Sequence, residues 1–343
     1  MRKLRNLATA RKLGLLVMAL IVFNPIADTR AGELHSVRVE TDVLYGTGVV
    51  QASSAPQKRS LYLDAYLPTG KAGKVGKATP AILVAFGGAY HQGDKGEHHF
   101  LEDGARDSSM ADYCRALAAR GTACFSIDYR LTQEDPAFPK GIRSDDLMPK
   151  KLLNSPLVTG RVELVRKRLG LAPLDAQTRE QLWNSTFAAV EDMETALNFI
   201  RAKAQKYNLD IQRIALGGFS AGAMTAINLG YGKGADVVGV VAISGTSWGY
   251  NLPKTLRADA PPLLLFAGQW DLAGIRQGSG AIIRLFKAKG VPVSQAWVPG
   301  FGHFYPMQAP SLSSGFDRQS VLDRLNGFLQ SQFENEGFFP ARK

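Results

Sequence analysis

The sequence has 343 residues, of which 45% are apolar and 21% are charged, and this composition excludes a disordered, collagen-like or coiled-coil protein. The net charge is +11, but the first 31 residues hold six basic residues and one acidic residue, so the remainder carries +6. That remainder contains no long run of lysine and arginine, and we therefore expect no nucleic-acid partner.

The N-terminus has the pattern of a secretory signal peptide over residues 1–31. Five basic residues precede an uncharged apolar run of eleven residues at 13–23, which Asn24-Pro25 ends. Thr29-Arg30-Ala31 offers small residues at the two positions that a signal peptidase reads. The run is shorter than the roughly 20 residues that cross a bilayer. We therefore predict export to the periplasm or the medium; the alternatives are an uncleaved anchor and a buried helix.

After residue 60, apolar runs alternate with helical patterns, which predicts one α/β domain over residues 32–343. Continuous apolar strands separated by helices indicate a doubly wound, mostly parallel central sheet with helices on both faces. Ligands of such folds bind beyond the carboxyl ends of the strands. The predicted strands are residues 61–67, 81–86, 122–129, 213–217, 237–244, 263–267 and, as the last strand, 293–298.

The chain has two cysteines, Cys114 and Cys124. Residues 111–119 are predicted as a helix and residues 122–129 as a strand, with Gly121 in the turn. Each thiol lies about 10 Å from that turn, at helical and strand rise respectively. A disulfide is therefore a geometric option in an oxidising compartment, and two buried free thiols are the alternative.

An insertion is predicted at residues 132–184, before a helical pattern resumes near Ser185. Links between strands and helices in such units are about 2–6 residues long, so this segment is abnormal. It is rich in leucine and in basic residues. We expect a lid-like cap over the site; the alternative is a decoration packed on the flank.

Residues 218–222 (GFSAG) form a G-x-S-x-G motif between a predicted strand and a predicted helix. A sharp strand-to-helix turn needs small residues beside the serine and exposes its hydroxyl at the strand end. Ser220 is therefore the predicted nucleophile. An ordinary glycine-rich turn with an exposed serine is the alternative.

The base and the acid follow from chain order, which is serine, acid, histidine in this architecture. Of five histidines only His303 follows Ser220, in a glycine-rich loop after the last predicted strand. Between them lie no glutamate and three aspartates. Asp236 and Asp259 precede strands, whereas Asp271 follows one, so Asp271 is the predicted acid that orients His303.

Residues 86–90 (FGGAY) follow a predicted strand, and their small side chains allow backbone N–H groups to approach an oxyanion. We predict donors at Gly88, Ala89 and Ala221. Tyr90 and Phe219, which neighbour these motifs, are predicted to contact the substrate.

The segment around His98 and His99, with Glu97 and Asp94, lacks a helical pair of metal-ligand spacing. We expect no metal there, and the predicted chemistry needs no cofactor.

These segments resemble the α/β-hydrolase superfamily in its esterase/lipase branch, over most of the chain after residue 40. Residues 42–46 (DVLYG) and 61–68 (LYLDAYLP) are similar to that branch's opening strands, and residues 86–89 (FGGA) to its His-Gly-Gly-Gly oxyanion motif. Residues 128–131 (DYRL) match a strand-end signature, and Ser220, Asp271 and His303 fall on the triad positions. Phe86 replaces the usual histidine, and GFSAGA stands where one lipase-like group has GDSAGG. The signatures look closer to those of bacterial carboxylesterases that include feruloyl- and acetyl-esterase-like members.

The function predicted from these observations is hydrolysis of a small-molecule carboxylic ester through an acyl-enzyme. A serine peptidase or an acyltransferase on the same fold is one alternative, because leaving group and acceptor depend on the pocket. A non-catalytic binding protein of the same fold is another. A lipase acting at a lipid surface is a third, since basic, leucine-bearing segments can contact membranes. The oligomeric state is left open.

Overall fold

The predicted strands pair into one mixed sheet in the computed structural model, which describes residues 34–69 and 78–334. The predicted signal peptide lies outside these residues. The strands of the described residues are β1 (Ser36–Val50), β2 (Gln57–Thr69), β3 (Thr79–Ala85), β4 (Leu101–Glu102), β5 (Ala105–Arg106), β6 (Ala123–Ile127), β7 (Leu209–Phe219), β8 (Val240–Ile243), β9 (Leu263–Gly268), β10 (Val293–Val298), β11 (Pro310–Ser313) and β12 (Arg318–Ser320).

The order of strands in the central sheet is β1-β2-β6-β3-β7-β8-β9-β10-β11-β12. Strands β6, β3, β7, β8, β9 and β10 run parallel, while the strand pairs at both edges are antiparallel. Every residue of β6, β8 and β9 is buried, as expected for parallel strands covered on both faces. β4 and β5 form a separate two-stranded hairpin.

Helices cover the sheet, as its apolar faces require. They are α1 (Met110–Ala119), α2 (Pro156–Arg168), α3 (Ala176–Ala202), α4 (Ala204–Tyr207), α5 (Ala221–Ile227), α6 (Leu252–Thr255), α7 (Ala273–Ala288) and α8 (Val321–Glu334). α1 packs against β6 and contacts α8, whereas α3 and α5 pack on each other and contact β3. The predicted doubly wound α/β architecture is confirmed. Within the described residues, no helix is both long and apolar enough to cross a membrane.

The sequence predicted residues 293–298 as the last strand of the sheet, and this prediction is wrong. Residues 293–298 form β10 with the predicted bounds, but β11 and β12 extend the sheet beyond it. These two strands are short and polar (PSLS and RQS), so they carry no apolar run. They form because β11 pairs with β10 at Ala296–Ser313 and Trp297–Leu312, a contact that depends on the folded sheet.

The segment at residues 132–184 is more ordered than its sequence predicted. It contains three short 3₁₀ turns and α2, and α3 begins at Ala176 rather than near Ser185. Asp175 starts α3 with a capping box, in which its carboxylate accepts from the Thr178 N–H and the Thr178 side chain accepts from the Asp175 N–H. The first turns of α3 are mostly polar, which hid them from a search for apolar periodicity.

Cys114 on α1 and Cys124 on β6 form a disulfide, with their Cα atoms 5.0 Å apart. Helix α1 begins at a capping box between Ser109 and Asp112. At its other end, a short turn through Gly121, which has a φ of +90°, leads into β6, so that Cys114 and Cys124 lie side by side.

A buried ion pair joins the loop after β6 to α3. The Nη2 of Arg130 donates to Asp192 Oδ1 at 2.7 Å and its Nε donates to the same oxygen at 3.0 Å. Both side chains are 1% exposed. Arg130 also donates to Val49 O on β1 at 3.2 Å and to the half-exposed Glu191 at 2.6 Å. One guanidinium thus connects three elements of the sheet and its helix layer.

We expect Asp192→Asn to lower the free energy of unfolding by about 3–5 kcal/mol, because it leaves the buried Arg130 charge without its main counter-ion. Glu191→Gln is the matched control. Glu191 is 43% exposed, so its loss is expected to change stability by less than about 1 kcal/mol. Urea unfolding of both variants measures this difference, and equal losses would contradict the assignment.

Candidate active site

Ser220 occupies a sharp turn between β7 and α5. Its φ is +52°, a left-handed conformation that is strained for a residue with a side chain. Its N–H donates to Ile243 O at 2.9 Å, which fixes the turn to β8. A Cβ on Gly222 would lie 2.0 Å from Ala85 O, so only glycine lets α5 begin this close to β3. The small residues of the motif are therefore a steric requirement of the turn.

His303 lies between Ser220 and Asp271. Its Nε2 is 2.9 Å from Ser220 Oγ, and its Nδ1 is 2.7 Å from Asp271 Oδ1. Asp271 follows β9 and His303 follows β10, and the parallel pairing of these strands brings both loops to the same edge of the sheet. Because the carboxylate can only accept, His303 carries its proton on Nδ1 and presents Nε2 as an acceptor to the serine hydroxyl. The structure thus joins the three predicted residues in one hydrogen-bonded chain.

The two rejected aspartates lie elsewhere. Asp236 and Asp259 precede β8 and β9, at the opposite ends of these strands from Ser220. Asp259 pairs with Arg257. Their position agrees with the rule that excluded them.

Three further donors hold the Asp271 carboxylate. Ser244 Oγ donates to Oδ2 at 2.7 Å, the Gly268 N–H donates to Oδ2 at 3.2 Å, and the Leu272 N–H donates to Oδ1 at 2.8 Å. Ser244 in turn lies 2.8 Å from the Tyr305 hydroxyl. Since the Ser244 proton goes to the carboxylate, the Tyr305 O–H donates to Ser244 Oγ.

Sequence reasoning missed Ser244 and Tyr305. Ser244 directly follows the buried strand β8, at the edge that carries the other polar groups, and this position is the signal that could have found it. Its φ of +48° shows that the backbone is held in a strained conformation at this point.

We expect Ser244→Ala to lower kcat about tenfold, because a hydrogen bond to a charged group contributes about 1.5–3 kcal/mol. Tyr305→Phe is the matched control, since it leaves the contact between Ser244 and Asp271 in place and should change kcat less than about threefold. Steady-state hydrolysis of p-nitrophenyl acetate measures both variants. A larger loss in Tyr305→Phe would show that Ser244 does not act on Asp271.

The loop after β3 adopts an unusual backbone. Gly88, Ala89 and Tyr90 have φ values of +118°, +56° and +59°. A Cβ on Gly88 would lie 2.0 Å from Gln92 O, so glycine is required there. Two consecutive non-glycine residues in the left-handed region cost free energy that the surrounding contacts must offset. Ala89 and Ala221 line the same cavity as Ser220, whereas Gly88 does not reach its surface.

Phe86 stands where the resembling family has a histidine, and its ring packs on Tyr129. The two rings are nearly parallel, with centroids 4.3 Å apart, and the Tyr129 hydroxyl donates to Phe86 O at 3.0 Å. Tyr129 belongs to the DYRL segment. An aromatic stack from that segment therefore supports this loop.

A cavity of about 660 Å³ opens beside Ser220. It is bounded by the segment at 132–184, by the loop after β8 and by α7. Most of its lining is apolar, including Leu153, Leu157, Val158, Val162, Leu182 and Ile275. Its volume is within the range of about 300–1,000 Å³ that is typical of small-molecule sites. Five of these six residues belong to the insertion at residues 132–184, which therefore forms a wall of the site.

Tyr90 lines the cavity, but Phe219 does not. Tyr90 is buried, and its hydroxyl lies 3.4 Å from Thr225 Oγ1. Phe219 instead packs on His303 and Phe304, with ring centroids 5.2 and 5.5 Å away. Phe219 fills the space beside His303, because the residue before Ser220 points away from the end of β7. Phe219 therefore lies outside the cavity lining, and its contact with substrate stays a prediction.

The charged residue that the described chain places at the cavity wall is Arg161, and it is paired. Its Nη1 and Nη2 donate to the two Glu102 oxygens at 2.7 and 2.9 Å, and Arg168 also pairs with Glu102. Burial raises the pKa of Glu102, but the hydrogen bonds from Arg161 and Arg168 outweigh it and hold the pKa below its usual range. These bonds tie α2 to the β4–β5 hairpin.

The histidines of the 94–99 segment make local contacts. His99 Nδ1 lies 2.9 Å from Asp107 O, and His98 lies near Asp94. In the part of the chain that the structure describes, no three histidine, cysteine or acidic side chains cluster as a metal site would require.

Comparisons with known proteins agree on the fold. A family model described as BD-FAE matches residues 176–251, a segment that contains Ser220. A truncated carbohydrate esterase from gut microbiota is similar in structure, with 17% identity over 88% of this chain and 98% of that chain, and a TM-score of 0.54. Esterase 2 of Thermogutta terrifontis, phosphoramylated by tabun, has 15% identity over 89% and 97% of the two chains, and a TM-score of 0.52. No curated protein matches the sequence.

The chain therefore has the α/β-hydrolase fold that its sequence predicted. The BD-FAE match agrees with the resemblance to the esterase branch of that superfamily.

Proposed function

We propose that the protein is a serine-dependent carboxylic ester hydrolase. The observation that carries this proposal is the chain of hydrogen bonds from Ser220 through His303 to Asp271, at the wall of an apolar cavity. A hydroxyl, a base and an orienting acid within hydrogen-bond distance are the arrangement that nucleophilic catalysis requires. The esterases among the similar structures support an ester as the substrate.

In the first half of the reaction, Ser220 Oγ attacks the ester carbonyl while His303 Nε2 accepts its proton. Asp271 stabilises the imidazolium and keeps its proton on Nδ1. The carbonyl oxygen becomes an oxyanion, and the N–H groups of Ala89 and Ala221, with Gly88 behind them, are the proposed donors. The left-handed backbone at Ala89 orients its N–H before the substrate binds.

The imidazolium then returns its proton to the leaving alcohol, and the acyl group remains on Ser220. In the second half, this acyl group is hydrolysed. A water molecule then gives a proton to His303 Nε2 and attacks the acyl carbon. Collapse of this second tetrahedral intermediate releases the acid and restores the serine hydroxyl. The residues of this chain supply every proton transfer.

The cavity supports a substrate with a sizeable apolar group. Its aliphatic walls offer few hydrogen-bond partners, and Arg161 is already paired with Glu102. Each buried methylene contributes about 0.8 kcal/mol to binding, or roughly a fourfold gain. We propose that the acyl chain occupies this space, and that activity rises with chain length until the cavity is filled.

The proposal is tested by hydrolysis of p-nitrophenyl esters with acyl chains of two to sixteen carbons. Ser220→Ala should lower kcat by about 10⁴- to 10⁶-fold, as loss of a triad nucleophile does. Ser247→Ala is the matched control, because Ser247 also lines the cavity but lies outside the hydrogen-bonded chain, and its activity should stay within threefold. Equal rates in wild type and Ser220→Ala, or none in either, would refute ester hydrolysis by this site.

The chain-length profile should shift when the cavity is narrowed. Val158 lines the cavity on α2, so Val158→Trp is expected to lower kcat/KM for the octanoate at least about tenfold while leaving the acetate within about threefold. Leu169→Trp is the control, since Leu169 is exposed at the end of the same helix. Equal effects on both esters would place the acyl chain elsewhere.

A further inference from the structure

His91 belongs to the loop that follows β3, directly after Tyr90. Its side chain lies between the backbone of that loop and the insertion. It is 2% exposed, and sequence reasoning assigned it no role. Its Nδ1 lies 2.8 Å from Ala89 O, and its Nε2 lies 3.2 Å from Arg166 Nη1. Arg166 is on the last turn of α2, so one imidazole connects the insertion helix with the residue that carries a proposed oxyanion donor.

The contacts determine which nitrogen of His91 carries the proton. A guanidinium can only donate, so Nε2 must accept from Arg166 and the proton must be on Nδ1. The Nδ1–H then donates to the Ala89 carbonyl. Burial and the neighbouring Arg166 charge lower the pKa of His91 to about 4, although the hydrogen bond to Ala89 and the Glu163 charge oppose this shift. The imidazole is therefore neutral at neutral pH, as both hydrogen bonds require.

The hydrogen bond from His91 acts on a strained piece of backbone. Ala89 and Tyr90 both have left-handed φ values, and each such residue costs about 1–3 kcal/mol unless its surroundings hold it. The carbonyl that His91 binds belongs to the peptide between these two residues. Rotation of that peptide would change ψ of Ala89 and φ of Tyr90, and it would displace the adjoining Gly88–Ala89 peptide, whose N–H is the proposed oxyanion donor.

Arg166 is itself held in place on the insertion. It is buried, and its Nε donates to Ala172 O at 2.8 Å, in the turn that follows α2. The same helix supplies Val158 and Val162 to the cavity wall. A displacement of α2 would therefore change the shape of the cavity and the support of the loop together.

We propose that His91 is a positioning residue, which holds the Ala89 peptide in its strained orientation and makes the alignment of the oxyanion donor depend on the placement of α2. This inference rests on the proposed ester hydrolysis. It predicts that the contact of Nδ1 with Ala89 supports the transition state rather than the binding of substrate.

Two variants of His91 test the contributions of its two ring nitrogens separately. His91→Asn keeps a side-chain N–H close to the position of Nδ1 but does not reach Arg166. His91→Gln reaches toward Arg166 with its carbonyl oxygen but loses the short donor to Ala89. We expect His91→Gln to lower kcat about 10- to 100-fold with KM within threefold, and His91→Asn to retain at least a fifth of kcat.

His98→Gln is the matched control, because His98 is 39% exposed on the same stretch of chain and should leave kcat within twofold. Inhibition by a trifluoromethyl ketone, which forms an oxyanion on the serine, should weaken in His91→Gln in proportion to the loss of kcat/KM. If the His91 side chain only filled the core, His91→Gln would lower the unfolding temperature, but the loss of inhibition would not follow the loss of kcat/KM.

The outcomes distinguish the two proposals. If wild type hydrolyses the esters but His91→Gln and His91→Asn lose equal activity, or neither loses any, the positioning role is refuted and ester hydrolysis stands. If wild type hydrolyses no ester, both proposals are refuted. Nitrogen-15 NMR of the wild type guards against a variant that fails to fold: His91 should show the Nδ1–H tautomer at neutral pH, and a proton on Nε2 would overturn the inference.

Discussion

The close approach of α5 to the end of β3 is the constraint on which the site depends. Gly222 allows this approach, and Ser220, two residues before it, adopts a strained φ of +52° at the end of β7. A second close approach occurs at Gly268, where a Cβ would lie 1.8 Å from Gly302 O. This gap lets the His303 loop cross the end of β9. Backbone packing at two glycines thus brings Ser220 and His303 close together before any side-chain hydrogen bond is considered.

The hydrogen-bond network extends well beyond Ser220, His303 and Asp271. Asp271 receives hydrogen bonds from Ser244, Gly268 and Leu272, so its carboxylate is fully satisfied although it is buried. A buried charge without such partners would be costly, and its orientation would be poorly defined. Support of Asp271, and through it of His303, therefore comes from the loop after β8 and from the end of β9 with the loop that follows it, at the carboxyl edge of the sheet.

The insertion contributes to the site mainly through one helix. α2 supplies apolar side chains to the cavity, and its arginines bind Glu102 on the β4–β5 hairpin and His91 behind the loop after β3. These bonds connect α2 with two segments that lie 59 to 75 residues earlier in the chain, and they hold α2 over the cavity. The basic residues of the insertion were the reason for the alternative of a lipase at a lipid surface. Some of them form these internal contacts.

Local sequence determined the parts of this protein that depend on steric and periodic rules. The apolar runs predicted the parallel strands, with β10 at its observed bounds, and chain order with strand polarity selected Ser220, Asp271 and His303. The signal peptide stays a prediction, because it lies outside the described residues. The tertiary structure alone decided the rest: β11 and β12 exist because an edge strand was there to pair with, Phe219 turns beneath His303, and Ser244 and His91 acquire partners 27 and 75 residues away in the chain. Such contacts follow from the packing of whole elements, and no local pattern of residues encodes them.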